Sequence, residues 1–260
     1  MKIIISILST LLLSLTANAA HHEEASEMQA PQFGAGQIGM CSLKPGKTMA
    51  DYQKMSEDYI RWSQKNNAEV MYMRAIPLFA SPRNSNTPQF DFIEMLASSF
   101  EQSGQAWKKW LSTKEGLKLN DTWQSLAECR VAINSFAMRY ADIETLNTLD
   151  ERVITFEWCT RNEGVAWDDL APVHQQAVDN RPDDSSVLSW AIMFPGVGVN
   201  NAPGEFLHMF TFADTIGLMA HRNRIANEGG WRQREDYQTN YASCTGQNAY
   251  LATVLNRPSN

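Results

Sequence analysis

Residues 41–129 of this chain return in altered form at residues 159–244. Cys41-Ser-Leu-Lys-Pro-Gly46 lies over Cys159-Thr-Arg-Asn-Glu-Gly164 at an offset of 118, with Met49 and Asp51 over Trp167 and Asp169. Ala75-Ile76 then matches Ala191-Ile192, and Asn86-x-Pro88 matches Asn201-x-Pro203. Phe92-Ile-Glu94-Met95 matches Phe206-Leu-His208-Met209, Glu115-Gly116 matches Glu228-Gly229, and Cys129 matches Cys244. The offset drifts only between 113 and 118, as a few short loop deletions would make it. A repeat this long is a whole folding unit and not one turn of a solenoid. Two repeats are therefore expected, at 37–145 and 150–258.

The N-terminus points to a compartment. Lys2 supplies a positive start, Ile3–Leu15 an apolar run, and Ala17-Asn18-Ala19 a small-residue cleavage site. That run is shorter than the about 20 apolar residues a spanning helix needs. The expectation is a cleaved signal peptide at 1–19, a disordered leader at 20–36, and a periplasmic or secreted protein with no membrane insertion after cleavage. Four cysteines in an exported chain favour disulfides. Their spacings of 88 and 85 repeat with the duplication, which favours Cys41–Cys129 and Cys159–Cys244. A formal net charge of −7 without a basic run argues against nucleic acid and anionic membrane surfaces as partners.

Each repeat reads as strand, helix, strand, strand, helical region, strand. Val153–Trp158 alternates Ile154, Phe156 and Trp158 on one face, the period of a strand. Thr48 with Asp51 three residues on resembles a capping box, and Met49, Tyr52, Met55, Tyr59 and Trp62 form one helical stripe. Asp214-Thr215 offers a second helix start. A β-α-β-β-α-β order is that of a ferredoxin-like unit, in which the first and fourth strands are neighbours. Cys41 and Cys159 end the first strands while Cys129 and Cys244 precede the fourth, so the pairing read from spacing suits this order. The expected fold is α+β: two tandem ferredoxin-like units forming a pseudo-dimeric α+β barrel, one disulfide per unit. From Ile38 to Arg257 the element order and the duplication resemble the dimeric α+β barrel superfamily. The resemblance implies activities as different as cofactor-free monooxygenases, isomerases, decarboxylases and haem-handling proteins, and no residue role can be carried over from it.

Glu94 and His208 occupy equivalent positions on the two third strands. Phe92 shares a face with Glu94, and Phe206 and Phe210 share one with His208. A carboxylate and an imidazole among aromatics can do acid–base work on a bound organic molecule, or be hydrogen-bonded strand residues. Arg74, aligned with Trp190, can hold a ligand carboxylate or pack its stem along the sheet. His174 reads as a core or boundary histidine and His221 as a residue on a solvated face. The methionines read as core filler. No metal spacing stands out in the repeats, and no cofactor is required by any motif. If Ala20-His21-His22 becomes the N-terminus, however, its amine, amides and imidazole can wrap Cu(II) or Ni(II) in a square plane, a motif cheap to acquire by chance.

Three functions remain open on sequence. The first is an exported, monomeric pseudo-dimer binding a small organic molecule in an aromatic-lined cavity. The second is a cofactor-independent monooxygenase- or isomerase-type enzyme using His208, with Glu94 or Arg74 orienting substrate. The third is a structural or interaction protein of the cell envelope.

Overall fold

The computed structural model describes residues 33–80 and 90–258. They belong to a unit spanning Pro31–Asn260. The expected signal peptide, Ala20-His21-His22 and the Ser81–Gln89 loop lie outside the described residues. In chain order the first half runs β1 (Gly34–Leu43), α1 (Met49–Lys65), β2 (Met71–Phe79), β3 (Phe92–Ser98), α2 (Phe100–Ser112), α3 (Lys114–Leu126) and β4 (Ala127–Ala141). After α4 (Ile143–Thr148) the second half runs β5 (Glu151–Arg161), α5 (Trp167–Asp179), β6 (Val187–Val197) and β7 (Phe206–Phe212). It ends with α6 (Thr215–Asn227), α7 (Gly230–Asn240), β8 (Ala242–Cys244) and β9 (Asn248–Asn256).

The strands close into one antiparallel ring in the order β5-β7-β6-β4-β1-β3-β2-β9, with β9 pairing back onto β5. The short β8 pairs with β5 beyond the end of β9. This corrects the expected fold class of two tandem ferredoxin-like units. There is one closed eight-stranded barrel with helices outside it, and each expected helical region is two helices. The physical reason is the fate of strand edges. A four-stranded sheet would leave two rows of N–H and C=O groups unpaired. Here β2 pairs with β9 and β4 with β6, so both halves contribute to a single sheet. The β4–β6 seam needs close backbone approach. A Cβ on Gly196 would stand 2.3 Å from the Ile133 carbonyl oxygen, so only glycine fits there.

Period-2 alternation sorts the strand residues into two shells. Met73, Ile93, Met95, Ile154, Phe156 and Met209 pack with others in one buried cluster inside the barrel. Tyr72, Arg74, Phe92 and Glu94, and likewise Trp190, Phe206 and His208, alternate with those inward residues and face the helices. Thr48 and Asp51 form the reciprocal cap of α1, and Asp214 caps α6 through the Gly217 N–H. Both disulfides join register partners, Cys41 with Cys129 and Cys159 with Cys244, at Cα separations of 4.0 and 4.1 Å.

Candidate active site beneath the helices of the second half

The outward faces of β3 and β7 each carry a buried ionisable group, Glu94 and His208. In the first half, Glu94 accepts from the Tyr52 hydroxyl at 2.7 Å and from the Tyr72 hydroxyl. Trp123 in turn donates its indole N–H to Tyr52 at 2.7 Å. Arg74, the register partner of Glu94, donates to Gln53 at 2.7 Å, to Ser56, and to the Tyr72 oxygen at 3.4 Å. Its guanidinium lies over the Tyr52 ring at 5.1 Å and the Phe92 ring at 5.7 Å. Burial raises the Glu94 carboxyl above its usual range, while the two tyrosines and Arg74 pull it back. Tyr72 joins the two, accepting from Arg74 and donating to Glu94. These bonds tie Glu94 and Arg74 to α1 and β2, and among the described residues the buried Arg74 Nε has no hydrogen-bond partner.

The second half holds a different set in the same place. Strand pairing sets Arg74 opposite Glu94 but Ile192 opposite His208, with Trp190 two residues earlier. Trp190 therefore stands where Tyr72 stands, and the alignment of Arg74 with Trp190 is out by two residues. Trp190 donates its N–H to His208 Nδ1 at 3.0 Å. An indole is a donor only, so Nδ1 carries the lone pair and Nε2 the proton. His208 Nε2 lies 3.3 Å from the Tyr237 hydroxyl oxygen, which lies 2.9 Å from His174 Nε2. One directed chain follows: Trp190 donates to His208, His208 to Tyr237, and Tyr237 to His174. Both imidazoles are neutral. Burial, then the neighbouring His174 and Arg234, holds His208 well below 6.5. Burial, then Arg139, lowers His174 to about 4.

The chain borders a cavity of 440 Å³ between the barrel and α5–α7, whereas the first-half cavity holds 80 Å³. The duplication shows why. Met55, Tyr59 and Trp62 line the small cavity, and Val173, Ala177 and Asn180, each 118 residues on, line the large one. Helices α2 and α6 start 115 residues apart, so Ile225 stands for Trp110. In the first half Trp62 and Trp110 meet edge-to-face at 5.2 Å and Tyr59 meets Trp110 at 5.5 Å, which fills the space. Smaller residues at these positions leave it open. Trp190 and Phe210, stacked at 5.8 Å, form its aromatic wall, extended by His221. Burial, then Arg222, Arg234 and Arg224, lowers His221 to about 4.

His208, Trp190 and Phe210 thus come together as expected residues of one site. Phe206 packs edge-on against His208 at 5.2 Å but lies beneath the site, and Phe92 packs on Tyr52 in the other half. Glu94 and His208 line separate cavities and form no acid–base pair. Sequence reading missed the roles of His174 and Tyr237. The available signal was the exchange of Ser56 for His174 at the common offset of 118. Among the described residues, Cys159, His208 and Cys244 lie within 4.8 Å of one another, as do Cys41, Glu94 and Cys129, but their sulfurs are disulfide-bonded and offer no thiolate. His221, which also lines the cavity, meets the Phe210 and Phe212 rings.

No known family's sequence profile matches the chain, and no curated protein is similar to it in sequence. Solved structures are similar in fold. A candidate monooxygenase from Fusobacterium nucleatum subsp. nucleatum superposes with a TM-score of 0.51 at 11% identity, over 87% of this chain and 94% of that one. For a candidate monooxygenase from Lactobacillus acidophilus the values are 0.49, 10%, 86% and 100%. For a candidate chlorite dismutase they are 0.46, 10%, 86% and 96%. The likeness to the first is one of architecture.

Proposed function

We propose that the protein is an enzyme of the monooxygenase or isomerase type, which removes a proton from a small, flat organic molecule in the second-half cavity. The observation that carries this reading is the Trp190–His208–Tyr237–His174 chain, set against a cavity that four smaller side chains keep open. A binding protein needs the cavity but has no use for a directed proton path. The monooxygenase assignment of a fold neighbour is in keeping with the same choice.

In the proposed step, an acidic O–H or C–H of the substrate gives its proton to the Tyr237 oxygen. The hydroxyl proton of Tyr237 passes to His174 Nε2. Tyrosine stays neutral, His174 becomes an imidazolium, and the electron pair remains on the substrate. An anion formed beside it raises the His174 pKa from its resting value of about 4, which makes the transfer feasible. Returning the proton to another substrate atom is isomerisation. Donating the electron pair to dissolved dioxygen is the opening of an oxygenation. Tyr237 and His174 are the catalytic residues, and His208 positions Tyr237. Trp190 holds His208 in the tautomer that donates to Tyr237.

The test uses anthrone, a flat ketone with an acidic C–H, and follows its deuterium exchange and its oxygen uptake. Wild type is expected to accelerate exchange over buffer. Tyr237→Phe and His174→Ala are each expected to lose about a hundredfold or more of that acceleration, the usual share of general acid–base catalysis. No acceleration by wild type, or full acceleration by Tyr237→Phe, refutes the reading.

A further inference from the structure

The charged lining of the second-half cavity is lopsided. Arg181, Arg224 and Arg234 line it, against Glu157 and Asp236. Arg234 is ion-paired with Glu157, which also accepts from Gln247 at 3.1 Å. Arg224 reaches Asp184 at 3.2 Å, and Asp236 accepts from Asn240 at 2.8 Å. Arg181 is different. Its guanidinium lies 3.9 Å over the Tyr140 ring, and Asp142 is near enough to feel its charge, but among the described residues no carboxylate stands within ion-pair distance of it. Stacking fixes the plane of the group and leaves its edge donors for a ligand. Its counterpart 118 residues earlier is Ser63, a buried serine.

We propose that the natural ligand of this cavity is a flat aromatic anion, such as an aryl carboxylate, and that Arg181 selects it. The inference rests on the same cavity as the proposed function and names its substrate class. Three features converge. Trp190 and Phe210, near-parallel at 18°, give the cavity an aromatic wall against which a planar ring can lie. Arg181 supplies a pre-oriented fork matched to a carboxylate. Arginines outnumber carboxylates among the charged lining residues, and Arg139 near His174 and Arg222, Arg224 and Arg234 near His221 add positive charge around it. An anion entering this field is attracted, and an organic cation of the same shape is repelled.

The test compares 2-naphthoate with 2-naphthamide, equal in shape and different in charge, by calorimetry and tryptophan fluorescence on the exported protein. Naphthoate is expected to bind at least about tenfold more tightly, the scale of one charge-assisted hydrogen-bonded pair. Arg181→Gln is expected to remove that gap, bringing naphthoate down to the affinity of naphthamide in the same variant, and Arg181→Lys to restore part of it. Circular dichroism checks that the half-buried position tolerates both changes. Tyr237→Phe is expected to keep the gap, so a failed catalytic reading does not mask the result. Equal affinities for the two probes, no naphthoate binding at millimolar concentration, or a gap that survives Arg181→Gln overturns the proposal.

Discussion

His174 should make the folded protein lose stability in mild acid by an amount that can be worked from its surroundings. Its imidazole ionises at 6.5 in an unfolded chain and at about 4 in the fold, because burial and then the Arg139 charge disfavour the protonated form. The folded value is the lower one. Between pH 6.5 and 4 the unfolded chain therefore binds the extra proton, and stability rises with pH through that window. Above it the group contributes no pH dependence, and towards pH 4 its contribution is fully lost. At pH 5 the unfolded imidazole is almost wholly protonated and the folded one almost wholly neutral. Linkage then gives a loss of about 2 kcal/mol between pH 7 and pH 5 from this residue alone. Other groups, His221 included, also titrate, so the assay is a difference. Urea unfolding of wild type and His174→Gln at both pH values should show wild type losing about 2 kcal/mol more than the variant on acidification. Equal losses, or a native His174 that titrates near 6.5 by NMR, would refute the burial and charge argument on which the neutral proton chain depends.

Two other changes test the architecture. Restoring the first-half side chains by Ala177→Tyr and Asn180→Trp should fill the large cavity and abolish naphthoate binding with the fold intact, as seen by unchanged far-ultraviolet circular dichroism; retained binding would place the ligand elsewhere. Gly196→Ala would set a Cβ against the Ile133 carbonyl at 2.3 Å and should cost about 1–3 kcal/mol in urea unfolding by prying at the β4–β6 seam. No measurable cost would mean that the seam is looser than its backbone approach implies.

Much of the local structure was legible in the chain. The alternation of Ile154, Phe156 and Trp158, the Thr48–Asp51 cap, and the cysteine spacings all report on groups that are near neighbours or register partners. The site was legible only in part. His208 and its aromatic neighbours stood out because their strand faces alternate. Tyr237 did not, since it lies on α7, a helix with no buried residues and little periodic signal. The Arg74–Trp190 equivalence failed because sequence offset counts residues, whereas hydrogen-bond pairing decides which side chain meets which across β6 and β7.

By itself, then, the sequence determined the duplication, the strand and helix periods and the disulfide framework, because these depend on order and spacing along one dimension. Tertiary structure decided that β2 meets β9 and β4 meets β6, so that the expected pair of units is one closed ring. It also decided which half is open. Ala177 and Asn180 are unremarkable residues until α5 lies against the barrel at the place where Tyr59 and Trp62 fill the other half. The proton chain has the same origin. Residues 174, 190, 208 and 237 meet only because a helix, two paired strands and a second helix converge, and buried polar groups must then find partners in one another.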